Sequence, residues 1–221
     1  MSTATIIAGK TNAIRLMMAA AAEKKARGIV IEKNANELKK LSEQSGFEYI
    51  TDDAGILSCF KGITPEFVLR NKQKKALAEQ GLSDSEIFEV MKGFEPIFVF
   101  IADLSEFIKA VYHPEGDVGN LSGFFENIFE KGYLHNIFFI ACFNQDDAST
   151  LTGQKAYHMF ISYKSGVHLG GNLSAQRLFN FQNIHYSQLS KAAKKGEGLV
   201  PSADDESIAE RIIIPLFGGA I

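Results

Sequence analysis

Tryptophan is missing from this 221-residue chain, and cysteine occurs only twice. Cys59 and Cys142 lie far apart with no CxxC neighbour, so neither a disulfide framework nor a zinc knuckle is implied, and a reducing compartment fits. A surplus of positive charge is also missing. Lys and Arg number 23 against 26 Asp and Glu, for a net charge of −3. That balance argues against a dedicated nucleic-acid surface, because neutralising phosphates needs clustered cations. The one basic cluster, Arg70 to Lys75, reads as a solvated helix face. No segment approaches the roughly 18 uninterrupted apolar residues of a membrane span, and Met1 to Gly9 is too short for a signal peptide. His113, His135, His158, His168 and His185 show no HxxxH or HxH spacing, and no GxSxG elbow occurs. No metal ligand and no catalytic residue is therefore assigned. Asp146-Asp147 and Asp204-Asp205-Glu206 read as solvated loop tips.

What is present is an ordinary globular composition, 46% apolar and 22% charged, in a length that suits one domain over residues 1–221. The 18 Phe residues fall in periodic runs and read as core. Thr3 to Ala8 is a β-branched, apolar strand that stops at Gly9, and Asn12 to Lys25 is an Ala-rich helix closed by Gly28. Ile29 to Ile31 is a second strand, and Asn34 with Glu37 has capping-box spacing for a second helix. Phe47 to Ile50 is a third strand. Thr51 to Pro65 reads as turn chemistry, and 66–91 as a charged helical excursion on the surface with a capping box at Ser83 and Glu86.

Pro96 introduces Ile97 to Ile101, a continuous apolar run of the kind that forms a strand buried on both faces. A second such run, Ile137 to Phe143, follows an amphipathic helix over Leu121 to Lys131 that stops at Gly132. Ala156 to Tyr163 and Gly166 to Leu169 read as strands meeting at Lys164-Ser165-Gly166. Leu173 to Phe179 reads as a short helix, and two terminal strands surround Leu199-Val200 and Ile212 to Ile214. The tail Gly218 to Ile221 reads as flexible. The alternation of strand and helix predicts an α/β fold with a mainly parallel central sheet and helices on both faces.

Gly9-Lys10-Thr11-Asn12 follows the first strand and opens the first helix, where a phosphate-binding loop belongs. In the full G-x-x-x-x-G-K-[ST] loop an arch of backbone amides surrounds the phosphates. Here the position five before Gly9 is Ala4, inside the strand, so the arch is missing. A strand-to-helix turn with incidental Lys and Thr is the competing interpretation. A P-loop ATPase also needs an acid at the end of a buried strand to hold magnesium. Ile97 to Ile101 ends in Ala102-Asp103, with one acid where two adjacent ones are common, and Asp103 alone also suits an N-cap of the helix Leu104 to Tyr112.

Three stretches carry a family resemblance: Glu95 to Ile108 (EPIFVFIADLSEFI), Gly119 to Gly132 with His135-Asn136, and Gly166 to Gly171 with Gln176 and Leu178-Phe179. Together with Gly196 to Pro201, the chain resembles over nearly its whole length the C-terminal ATPase domain of the EssC family. These are the membrane-anchored, FtsK/SpoIIIE-type coupling ATPases of type VII secretion in Gram-positive bacteria. The resemblance implies a RecA-like P-loop NTPase fold, a place as the last domain of a longer protein, and a location on the cytoplasmic side of the membrane. As partners it implies small helical WXG-type secreted proteins, neighbouring ATPase domains of the same chain and a homo-oligomer in the assembled system; no nucleic acid is expected. It maps the nucleotide site onto Gly9, Lys10, Thr11 and Asp103, with Asn12 beside them, and implies weak or absent ATP and Mg binding in the isolated domain. The expected role is substrate recognition or regulation with little hydrolysis. The alternative is an active motor domain whose site is completed by a neighbour's arginine, Arg177 or Arg211.

Overall fold

The computed structural model describes residues 4–8, 11–116, 119, 121–170, 172–174, 176, 178–189 and 196–218. In chain order the elements are β1 (Ala4–Ala8), α1 (Thr11–Glu23), β2 (Arg27–Ile31), α2 (Lys39–Ser45), β3 (Glu48–Ile50), α3 (Asp53–Glu79), α4 (Asp84–Met91) and β4 (Ile97–Ile101). There follow α5 (Leu104–Tyr112), α6 (Ser122–Lys131), a 3₁₀ turn (Gly132–His135), β5 (Ile137–Phe143), α7 (Ala148–Leu151) and α8 (Lys155–Ser162). The chain closes with β6 (Gly166–His168), α9 (Tyr186–Leu189), β7 (Glu197–Pro201) and β8 (Ala209–Ile213).

Among the described residues these strands form one eight-stranded sheet in the order β3-β2-β4-β5-β1-β6-β7-β8. Strands β3 through β6 of that order run parallel, and β7–β8 is an antiparallel hairpin on the far edge. Register follows the two-residue period of the pleat. Ile29, Ile31, Val99, Ile101, Phe139 and Ala141 face one core, completed by α3, α5, α6 and α8. Val30, Phe100, Ile140 and Cys142 face the other, under α1 and α2. The expected parallel sheet with helices on both faces is thus what forms, because runs with no polar side must be covered twice.

Several local expectations are overturned, each by burial or by a contact far away in sequence. Thr51 to Pro65 is not a turn region. Asp52 Oδ1 accepts from the Gly55 amide at 2.7 Å and starts α3, which runs through Pro65. Proline removes one helical hydrogen bond, but Ile56, Phe60, Ile63 and Phe67 form a buried stripe along this helix. At ~1.5–3 kcal/mol per large side chain, that burial outweighs the local cost.

Gly28 is not a helix cap; it lies inside β2. A Cβ there would stand 2.3 Å from the Phe47 ring. Lys25, at φ 53°, makes the left-handed turn instead. Asn34 and Glu37 form no capping box, since α2 begins later at Lys39. Ala156 to Tyr163 is the helix α8 and not a strand: Ala156, Tyr157 and Phe160 share a buried face, and the Phe160 ring sits 4.4 Å from that of Phe129. Leu173 to Phe179 forms no helix among its described residues; the Gln176 side chain bonds both the N–H and the C=O of Phe179. Of the tail, 219–221 lie outside the described residues.

The basic cluster is corrected at its first member. Arg70 is 1% exposed. Its guanidinium pairs with Glu66, donates to the carbonyls of His135 at 2.6 Å and Glu95 at 2.8 Å, and lies over the Phe94 ring. It ties α3 to the entries of β4 and β5. Ser83 and Glu86 do form the expected capping box.

Candidate functional site

Parallel strands of an open α/β sheet deliver their carboxyl ends to one edge, and ligands bind in the crevice there. In this chain β2, β4 and β5 end beside the first turn of α1. Between them lies a cleft of about 300 Å³ whose walls include Thr11, Glu32, Lys33, Ala102, Asp103 and Cys142. Thr11 and Asp103, 92 positions apart, are thereby brought to the same cavity. Gly9 and Lys10 lie outside the described residues. Asn12 is not among the lining residues. Its carboxamide turns to the end of the chain, with Nδ2 donating to the Pro215 carbonyl at 2.8 Å and Oδ1 accepting from the Phe217 amide at 2.8 Å.

Asp103 serves as the N-cap of α5, with Oδ1 accepting from Ser105 N at 2.8 Å and Glu106 N at 3.3 Å. That use satisfies orphan amides of the first turn and leaves the other carboxylate oxygen to the cleft. Ala102 extends the ladder through its amide to Ile31 O and presents a methyl group where a second acid would stand.

Two further cleft residues were not singled out from sequence. Glu32, directly after β2, is 5% exposed, and its carboxylate accepts from Glu37 N at 3.2 Å, Leu38 N at 3.0 Å and the Tyr49 hydroxyl at 2.7 Å. It shapes the loop that leads into α2. Burial, reinforced by the bond to Glu32 and its negative charge, pushes the Tyr49 hydroxyl well above its ordinary pKa. Lys33 is ion-paired at 2.6 Å with Asp53, whose Oδ2 also accepts from Glu115 N at 2.7 Å. A signal for both was available: they are the first polar residues after a buried parallel strand, the position from which such sheets build their sites.

The described lining therefore holds the carboxylates Glu32, Glu37 and Asp103 against the single ammonium of Lys33, which Asp53 already neutralises. Such a surface repels a polyphosphate unless a cation accompanies it. An oxygen-seeking cation such as Mg²⁺ fits the Thr11 hydroxyl and the free Asp103 oxygen in donor type. No group of three or more His, Cys, Asp or Glu forms a metal cage among the described residues. Burial drives the Cys59 thiol up to about 12, so it holds no thiolate at neutral pH. Of the two arginines, Arg177 lies outside the described residues, and Arg211 is exposed on the edge strand β8.

At the opposite end of the strands a smaller hollow of about 190 Å³ is lined by Phe88, Met91, Lys92, Tyr133, Asn136 and Phe138, nearly all of it apolar. No helix among the described residues is long and apolar enough to cross a membrane.

No protein-family model matches the chain, and no curated protein matches its sequence. Its fold is shared with solved ATPase structures. Thermomonospora curvata EccC (ATPases 2 and 3), in complex with a signal sequence peptide, superposes with a TM-score of 0.70 at 16% identity, covering 99% of this chain and 37% of that one. The cytoplasmic domain of EssC gives 0.70 at 11% identity, covering 96% and 39%. The pCW3 conjugation coupling protein TcpA, in a monomer form with ATPγS, gives 0.62 at 15% identity, covering 96% and 60%. At these identities the likeness is one of fold. The chain spans about two fifths of the first two structures.

Proposed function

We propose that this chain is the C-terminal ATPase-like domain of a type VII secretion coupling ATPase, and that it recognises or regulates secreted substrates with little or no ATP hydrolysis of its own. The observation that carries the second half is the cleft itself. Thr11 and Asp103 meet there, but Ala102 replaces a second acid, Asp103 is partly spent as a helix cap, and Lys33 is neutralised by Asp53. The first half rests on the sequence resemblance together with the shared fold of EccC and EssC.

In this reading the first-turn amides of α1 would take phosphate, while the Thr11 hydroxyl and the Asp103 carboxylate would hold magnesium. The metal, when bound, neutralises charge on the phosphates. Partners are small helical WXG-type secreted proteins and neighbouring ATPase domains of one membrane-anchored chain. The EccC structure contains a signal sequence peptide, which supports recognition through substrate tails.

Titration of the chain with Mg-ATP, beside Lys10→Ala, tests the nucleotide half. Weak binding without turnover above background is expected. Tight binding with turnover that Lys10→Ala abolishes would make this an active motor domain, completed by a neighbour through an arginine such as Arg211. Pull-down of helical secreted proteins with and without their C-terminal tails tests the other half, and retention independent of the tail would overturn it.

A further inference from the structure

The end of the chain is fastened to the start of the helix that opens the cleft. Thr11 and Asn12 are consecutive at the beginning of α1, and consecutive helical residues point about 100° apart. Thr11 lines the cleft; Asn12 faces the other flank. Both ends of its carboxamide are used on one short segment, donating to Pro215 O and accepting from Phe217 N, each at 2.8 Å. A side chain that bonds a carbonyl and an amide two residues apart holds an extended strap in one register.

Other ties are few. Ile214 N donates to Gly196 O at 2.7 Å, continuing the β7–β8 ladder. Ile214 and Phe217 are half-buried against the core beneath α1, which includes Ala13, Ile14 and Met18. Leu216 between them is 79% exposed. Segment 214–218 has no regular secondary structure. Segments with so few buried contacts open at low free-energy cost.

The sheet order gives the strap its meaning. From the first turn of α1, the acid-bearing end of β4 lies on one side, and β6, β7 and β8 lie on the other. A nucleoside triphosphate whose terminal phosphates and metal sit between Thr11 and Asp103 crosses the N-terminus of α1 with its amides on the phosphates. Its ribose and base then leave on the side away from Asp103, the flank that Asn12 faces and that residues 214–217 cover. We propose that this segment is an autoinhibitory latch, competing with the nucleoside for the flank of α1 at Asn12. The proposal rests on the cleft being a nucleotide site.

Coupling between two ligands of one site is reciprocal, so the latch is measurable from both directions. Mg-ADP and Mg-ATP affinities are measured by calorimetry for the full chain, for Phe217→Ala, for a chain ending at Pro215, and for Leu216→Ala as a control at an exposed position. Release of the latch tightens binding about tenfold or more in the first two variants and leaves Leu216→Ala unchanged. In the full chain, saturating nucleotide speeds hydrogen exchange at the Phe217 amide. Circular dichroism melts confirm that each variant is folded. Equal affinity in all four chains, or no binding in any, overturns the proposal. Weaker binding in Phe217→Ala and the shortened chain overturns it too, by making the tail part of the site. Hydrolysis by the full chain would refute the weak-turnover reading yet leave the affinity ratio as the test of the latch.

Discussion

The ammonium of Lys33 and the carboxylate of Asp53 meet at 2.6 Å with only 10% and 3% of their side chains exposed. The pair joins the end of β2 to the start of α3 and, through Asp53 Oδ2, to the backbone of Glu115 after α5. It therefore fixes three elements around the cleft while removing a positive charge from it.

Breaking such a pair from one side leaves the other charge buried and alone, which costs ~3–5 kcal/mol. Asp53→Ala is expected to lower the urea midpoint accordingly, while Lys33→Met with Asp53→Leu recovers most of the loss. A single substitution with less than about 1 kcal/mol of effect would mean that the pair is solvated in solution.

Arg70 is the second stake in buried charge. Its removal strands the carbonyls of His135 and Glu95, while the partly exposed Glu66 carboxylate keeps its second partner, Arg27. Arg70→Met should destabilise by ~3–5 kcal/mol, and Arg70→Lys should recover little, because an ammonium lacks the planar fork that reaches all three acceptors. Thermal melts of the two variants test this; full rescue by Lys would refute it.

His135 gives the stability a pH dependence. It is 1% exposed, and burial lowers its pKa below the ordinary 6.5, with the nearby charges of Lys74, Arg70 and Lys131 adding to the effect and its bond to the Lys131 carbonyl opposing it. The unfolded chain binds this proton more readily than the folded one. Stability contributed by the neutral ring is present above pH 6.5 and falls as pH drops through the folded value. Chemical denaturation from pH 7.5 to 5 should show this slope, and His135→Asn should flatten it.

Substitutions at Asp103 separate its observed capping role from the proposed metal-binding one. As an N-cap it is worth ~1 kcal/mol, so Asp103→Ala lowers stability by about that amount and Asp103→Asn by much less. Magnesium binding at the proposed nucleotide site, by contrast, would need the carboxylate charge and would be reduced equally by both. Melts with and without Mg-ATP distinguish the two; equal destabilisation by Ala and Asn in the absence of ligand would remove the capping role.

Much of the sheet is legible in the sequence because its central strands have no alternative. Ile97 to Ile101 and Ile137 to Phe143 are too apolar and too short for anything but strands covered on both faces. The GKT after β1 and the Ala102-Asp103 step after β4 likewise place the candidate site, since both follow strands whose carboxyl ends share one edge. Asn12 belongs to the same motif, yet its partners lie more than 200 positions away at Pro215 and Phe217.

Local signals misled where a distant partner outweighed them. Gly55, Gly62 and Pro65 read as turns, and only the core that receives Ile56, Phe60 and Ile63 turns them into helix. Gly28 reads as a cap, and only the ring of Phe47 shows why it must lack a Cβ inside β2. Arg70 reads as solvated, and only the meeting of α3 with the entries to β4 and β5 supplies its acceptors. The sequence by itself determined the central apolar strands Ile97 to Ile101 and Ile137 to Phe143, the alternation of strand and helix in the first half of the chain, and the two motif steps, because these depend on residue type within a few positions. Tertiary structure alone decided that Asp53 neutralises Lys33, that Tyr49 anchors Glu32, and that residues 215–217 rest on Asn12. Those are contacts between segments whose separation carries no periodicity to read.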